Sequence, residues 1–146
     1  MDILSKLSER LKELMDEAEL TTQELAKQTG IDQSAISRFL KAERLPNISS
    51  LVLLADLFHC TTDYLLGLSD ILDERTFKER PPFFKQLEFL LGYFKISKYR
   101  LEKQTNFSEE TVNRWHKGKY EPTVESLVRL AKYFNCSVDF ILGREV

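Results

Sequence analysis

The chain has few of the residues that interrupt regular structure: five glycines and four prolines among 146 residues. This excludes a loop-rich or low-complexity protein. Cysteine is scarce too. Cys60 in FHCTTDYLLG and Cys136 in FNCSVDFILG show neither CxxC nor Cys/His metal spacing, so both read as buried thiols. No stretch reaches the roughly 18 apolar residues of a membrane span. The start, MDILSKLSER, is charged from its second residue, unlike a secretory signal. A cytoplasmic chain without membrane contact is expected. Of the two histidines, His59 reads as a helix-end residue and His116 as a surface residue, and neither joins a nucleophile or metal set. No active site, metal or cofactor is expected.

What is present is 42% hydrophobic and 30% charged, the composition of a compact and mostly helical globular chain. The net charge of -2 argues against blanket binding to nucleic acid, yet the halves differ. Residues 1 to 70 carry 7 Lys/Arg against 12 Asp/Glu, residues 71 to 80 carry 3 of each, and residues 81 to 146 carry 11 against 8. Any DNA contact in the first half must come from local placement of charge.

The sequence is written twice. Sliding it by 76 residues aligns 7–67 with 83–143 without a gap, and 19 of the 61 pairs are identical, among them Leu25/Leu101, Gln28/Gln104, Arg38/Arg114, Pro46/Pro122 and Gly67/Gly143. Other pairs keep size and polarity, such as Ile36/Val112 and Phe39/Trp115. This is a tandem repeat of one domain. The expected division is 1–70, a linker at 71–82 and 83–146. Ile71, Leu72 and Phe77 suggest a short helix in the linker, and Pro81 and Pro82 exclude helix interior there.

Five helices are expected per copy. Leu4, Leu7, Leu11, Leu14 and Met15 have amphipathic spacing for the first. The second runs from about Thr22 to Thr29 with Thr21 as its cap, and stops at Gly30, whose partner is Asn106; both residues tolerate a left-handed backbone. The third spans Gln33 to about Lys41, capped by Asp32 in one copy and Ser108 in the other. The fourth covers roughly Ser49 to Phe58. A short fifth begins after Thr61, with Asp63 near its positive end.

A moderate signal, two helices joined by a short turn, is strengthened by its surroundings. The stretch TTQELAKQTGIDQSAISRFLKAERLPNISSLVLLADLF followed by TTDYLLG resembles the Cro/C1-type helix-turn-helix family of phage and bacterial repressors. The likeness is strong over 7–67 and looser over 83–143. It implies an all-α fold of two tandem five-helix, lambda-repressor-like domains, with helix-turn-helix cores at about 22–41 and 98–117. It also implies sequence-specific binding of double-stranded DNA in transcriptional regulation, often as a dimer, without enzymatic activity.

A helix fits the major groove, where every base pair presents a distinguishable pattern. Gln33 suits paired hydrogen bonds to adenine, Ser34 and Ser37 are short adaptable partners, and Arg38 reaches guanine or phosphate. The resemblance places these four at base-facing or groove-edge positions. Thr22 and Gln23, at a helix start, suit phosphate, and Lys41 and Arg44 extend the positive edge. Glu9, Glu13, Asp16, Glu17 and Glu19 fall on or after helix one, which the family keeps away from the groove. Ala42 stands where the family commonly has glycine; held left-handed it would cost about 1–2 kcal/mol, so a longer third helix is the expectation there.

In the second copy Lys98, Asn113, Arg114, Lys117 and Lys119 are candidate DNA contacts. Two changes oppose them: Glu102 replaces Ala26 where the helices cross, and Glu109/Glu110 replace Gln33/Ser34. Carboxylates beside phosphates are repelled unless paired, although in a first helical turn they stabilise the helix. Phe39 and Trp115 fall on the inward stripe with Ile36 and Val112. The favoured expectation is a DNA-binding regulator, a repressor. Its second copy would aid DNA contact, homodimer formation or an intrachain pseudo-dimer, or bind a regulatory protein. The alternative is a helical interaction module, antirepressor- or antitoxin-like, without DNA binding.

Overall fold

The computed structural model describes residues 2–73 and 77–145, which form ten α-helices and no strand. They gather into two compact units, Met1–Thr76 and Phe77–Val146. The first holds α1 (Ile3–Glu17), α2 (Thr22–Thr29), α3 (Gln33–Leu40), α4 (Ile48–Leu57) and α5 (Thr62–Leu65). The second holds α6 (Phe83–Tyr93), α7 (Lys98–Thr105), α8 (Glu109–His116), α9 (Val124–Phe134) and α10 (Val138–Leu142). The pairs α2/α3 and α7/α8 start and stop 76 residues apart at every boundary. No described helix is long and apolar enough to cross a membrane.

Periodicity places the cores. Leu7, Leu11 and Leu14 of α1 are buried together with Leu25, Ile36, Phe39, Leu51, Leu54 and Leu65; the second core contains Leu87, Leu90, Leu101, Val112, Trp115, Leu127 and Ile141. Phe39 and Trp115 lie inside, as their stripe required. Cys60 is buried, but Cys136 is only half-buried, and the two form no disulfide. Thr61 and Thr62 lie buried beside Cys60, whereas Ser137 beside Cys136 is partly exposed, so the equivalent site is more open.

The copies leave their helices through the same left-handed turns. Every described residue with a left-handed φ belongs to a pair 76 apart: Glu19/Lys95, Gly30/Asn106, Ala42/Gly118, His59/Asn135 and Gly67/Gly143. The expected longer third helix is therefore not formed. α3 stops at Leu40, Ala42 takes φ 56°, and the Glu43 N–H closes onto the Arg38 carbonyl at 2.9 Å. Gly118 makes the same turn without a side chain, its neighbour Lys119 closing onto Arg114 at 3.0 Å. The closing bond and the buried Phe39 hold the first copy in a conformation costing about 1–2 kcal/mol for alanine.

The first helix differs in length for a visible reason. α1 starts at Ile3 with Asp2 as cap, its carboxylate accepting from the Ser5 N–H at 2.8 Å. α6 starts four positions later in the repeat because Pro81 and Pro82 drive the residues before them away from helical dihedrals. The short helix expected within 68–82 is absent among the described residues. Residues 77–82 instead bind the second unit. The Lys78 N–H donates to the Arg144 carbonyl at 3.0 Å, Phe77 lies 4.2 Å beneath the Arg144 guanidinium, and Arg80 grips Glu121 with two bonds of 2.8 and 2.9 Å. Ile71 and Leu72 stay exposed.

Candidate nucleic-acid interface

In the first unit α2 opens with a reciprocal cap: the Glu24 N–H donates to Thr21 Oγ1, and the Thr21 N–H to Glu24 Oε1, both at 3.1 Å. These bonds hold the Glu24 carboxyl below its ordinary pKa. Gly30, at φ 75°, ends the helix and turns the chain toward α3. Asp32 precedes α3 but makes no capping bond to its backbone, contrary to expectation. Its carboxylate accepts from the Ser34 hydroxyl, two residues on, and is thereby drawn away from the helix N–H groups.

α3 is sharply two-faced. Ala35, Ile36 and Phe39 are buried, whereas Gln33, Ser34 and Arg38 are exposed and Ser37 is half-buried. Lys41 and Arg44 follow in the exposed turn, with the Arg44 guanidinium 5.6 Å above the Phe39 ring. At the start of α2, Thr22 is half-buried and Gln23 exposed. Ser34 bonds Asp32 and Arg44 stacks on Phe39, while Gln23, Gln33, Arg38 and Lys41 are exposed. The acids Glu9, Glu13, Asp16, Glu17 and Glu19 are all exposed on or just beyond α1.

In the second unit two of the corresponding cations are engaged by neighbouring side chains. Ser97 caps α7, but Arg100 stands where Glu24 closes the first copy's reciprocal cap. Lys98 Nζ donates to Asn113 Oδ1 at 2.5 Å, joining the start of α7 to the middle of α8. Ser108 caps α8 as expected, accepting from the Thr111 N–H at 3.1 Å. Arg114 pairs with Glu110 one turn earlier, both exposed, and lies 5.3 Å over the Tyr120 ring. Lys117 and Lys119 are exposed. An open cavity of about 490 Å³ lies between α7 and α8, lined by Lys98, Glu102, Lys103 and Glu109 among others. The Glu110–Arg114 pair was legible from its four-residue spacing; the Lys98–Asn113 bond, between residues 15 apart, was not.

Comparison with known proteins agrees with this geometry. A helix-turn-helix family model matches residues 11–65, and one for the Cro/C1-type HTH DNA-binding domain matches residues 87–145. YobD of Bacillus subtilis (strain 168), an uncharacterized HTH-type transcriptional regulator, is 34% identical over 67 residues, 46% of this chain and 60% of that protein. The HTH-type transcriptional regulator ImmR of the same organism is 34% identical over 65 residues, 44% of this chain and 51% of its own length. An uncharacterized HTH-type transcriptional regulator of Rickettsia prowazekii (strain Madrid E) is 33% identical over 64 residues, 41% of this chain and 70% of that protein. The chain thus spans between half and two thirds of the two Bacillus relatives. No solved structure matches.

Proposed function

This chain belongs to the Cro/C1-type helix-turn-helix DNA-binding family, and we propose that it is a transcriptional repressor that reads double-stranded DNA with α3 of its first unit. The observation that carries the proposal is the exposed edge of Gln33, Ser34 and Arg38, anchored from behind by buried Ala35, Ile36 and Phe39. On this reading Gln33 pairs with adenine, Ser34 and Ser37 adjust to neighbouring groups, and Arg38 takes guanine or a phosphate. Thr22 and Gln23 with the α2 N–H groups, and Lys41 with Arg44, grip the backbone. Residues 1–70 form the reader, 71–82 connect, and 83–146 serve chiefly to pair or bind a partner.

The second unit is assigned the lesser DNA role because Lys98 is bonded to Asn113 and Arg114 to Glu110. A phosphate reaching either must first displace a neighbour; Lys117 and Lys119 would add backbone attraction only. The competing reading, an interaction module without DNA binding, draws on the acidic exposed surface of α1.

Selection from random duplexes at low salt tests the proposal. The expected result is an enriched sequence for the wild type, with affinity falling as salt rises. Gln33→Ala combined with Arg38→Ala should remove about 1–3 kcal/mol of discrimination per lost base contact, and Arg114→Ala should leave the selected sequence unchanged. Absence of any enriched sequence would favour the interaction module. Selection unaffected by the Gln33/Arg38 change would remove α3 as the reader.

A further inference from the structure

The first unit fills a space that the second leaves open. Arg10 holds its guanidinium carbon 4.0 Å over the Tyr64 ring and donates to the Tyr64 and Ser69 carbonyls and to Asp70. The Lys6 side chain covers Gly67, where an added Cβ would fall 2.5 Å from Lys6 Cβ. At the places of Arg10, Tyr64, Ser69, Lys6 and Gly67 the second unit has Gln86, Phe140, Glu145, Pro82 and Gly143. Gln86 is shorter and uncharged, and Pro82 has no long side chain. An open cavity of about 290 Å³ lies there, lined by Lys78, Gln86, Phe89, Phe140, Gly143 and Glu145. Ligand sites run from roughly 300 to 1,000 Å³, so this one suits a small molecule. Arg144, which pairs with Asp139 and lies over Phe77, is not part of the lining.

The cavity holds a polar atom without a partner. Gln86 is only 6% exposed. Its Nε2 donates to the Phe140 carbonyl at 3.1 Å, which fixes the amide, and no described group donates to Oε1. Every enclosed side-chain nitrogen and oxygen among the described residues has a partner, so Oε1 opens into the cavity and not into packed side chains. An acceptor on a buried side chain is rarely left unbonded. Gly143, at φ 79°, keeps the approach clear, because a Cβ there would stand 2.7 Å from Oε1. Glu145 adds a carboxylate: its Oε2 accepts from the Ser137 hydroxyl, and its Oε1 makes no bond.

We infer that this cavity binds a small molecule carrying a guanidinium group and a carboxylate, of which free arginine is the simplest. The guanidinium supplies N–H donors to Gln86 Oε1 and to the Glu145 carboxylate, and stacks on the Phe140 ring as Arg10 stacks on Tyr64. Its planar fork suits two acceptors and a ring at once, which a compact ammonium does not. Phe89, half exposed, flanks the aliphatic stem. Lys78, the exposed cation of the lining, takes the carboxylate. The ligand thus restores to the second unit the group that Arg10 supplies within the first.

The site does not depend on the DNA reading. Isothermal titration calorimetry on the full chain tests it with three probes: arginine, agmatine, which lacks the carboxylate, and citrulline, which has a neutral urea in place of the guanidinium. Arginine should bind with a Kd below about 1 mM, and citrulline about tenfold more weakly or worse. Gln86→Arg puts the first unit's residue into the cavity and should abolish binding. The Trp115 unfolding transition, which follows the second unit, should then stay in place or move to higher denaturant. Lys78→Ala, at an exposed position, should weaken arginine to the level of agmatine and leave agmatine unchanged. Neither heat nor a shift of the Trp115 transition with arginine up to about 10 mM overturns the proposal. So does equal affinity for citrulline, or binding retained by Gln86→Arg; equal loss of arginine and agmatine on Lys78→Ala overturns the role of Lys78. A chain that binds arginine yet selects no duplex refutes the DNA reading alone, and one that selects a duplex yet binds no arginine refutes the cavity alone.

Discussion

The two units secure their last helix through one shared contact and two different charge arrangements. Arg10 of α1 donates to the Tyr64 carbonyl at 2.9 Å; Gln86, its counterpart on α6, donates at 3.1 Å to the carbonyl of Phe140, the counterpart of Tyr64. The scaffold requires a donor there, and either side chain serves. Arg10 extends to the Ser69 carbonyl and to Asp70, whose side chain is 92% exposed. In the second unit the arginine comes from Arg144 instead and pairs with Asp139, both 1% exposed. Backbone satisfaction is common to the copies; the location and burial of charge are free to change.

A similar exchange occurs at the turn after the third helix. Ser8 donates to the Leu40 carbonyl at 2.6 Å, next to the turn that Ala42 makes. Its counterpart Phe84 lies against Gly118, where a Cβ would sit 3.0 Å from Phe84 Cδ1. A small residue on the first helix accompanies alanine in the turn, and a large one accompanies glycine.

The buried pair should show the largest difference between units. Asp139→Ala leaves Arg144 without its carboxylate in the interior, which typically costs about 3–5 kcal/mol; Asp70→Ala, at the exposed pair, should cost no more than about 1 kcal/mol. Trp115 is the only tryptophan and lies in the second unit, so its fluorescence during denaturant unfolding follows that unit directly. Equal losses from the two substitutions would break the comparison.

Next in size is the turn. Gly118→Ala adds left-handed strain of about 1–2 kcal/mol and presses on Phe84, so the Trp115 transition should move to lower denaturant. Ala42→Gly should stabilise the first unit by up to about 1 kcal/mol, less what glycine loses in chain entropy. Circular dichroism, which reports both units, would detect it; destabilisation by Ala42→Gly would show that the first turn is not strained.

Acid should give the smallest effect. The bond from Arg80, outweighing partial burial, holds the Glu121 carboxyl below its ordinary 4.5, and Glu24 is lowered by its bonds with Thr21. A lowered folded pKa stabilises the native state above the unfolded value, and that contribution disappears as pH falls through the folded one. Both contributions are therefore present above about pH 4.5 and lost below it. Glu121→Gln should flatten the acid limb of the Trp115 signal, while Glu24→Gln should leave that signal unchanged.

Much of this was legible locally. The spans of α2 and α3, the caps at Thr21 and Ser108, and the left-handed stops at Gly30 and Asn106 follow from residues within one or two turns of each other, and the repeat from aligning the chain with itself. Asp32 does not cap α3 because its carboxylate is taken by the Ser34 hydroxyl, and residue type alone does not decide between the two. A longer α3 is the expectation because a left-handed alanine is strained; the chain accepts that strain at Ala42, with the Glu43 N–H closing onto the Arg38 carbonyl. The linker helix was expected from three apolar residues that find no common face to bury.

By itself the sequence determined a duplicated all-helical scaffold and a polar edge on α3, because helical period, capping and turn chemistry act over a few residues. The tertiary structure decided which polar groups already have a partner within their unit. Lys98 meets Asn113, Arg144 meets Asp139, and Phe89 and Tyr93 remain exposed over Phe140, through contacts set by packing between helices. Residue type and spacing show a side chain's capacity to bind; only the arrangement of neighbouring helices shows whether that capacity is already used.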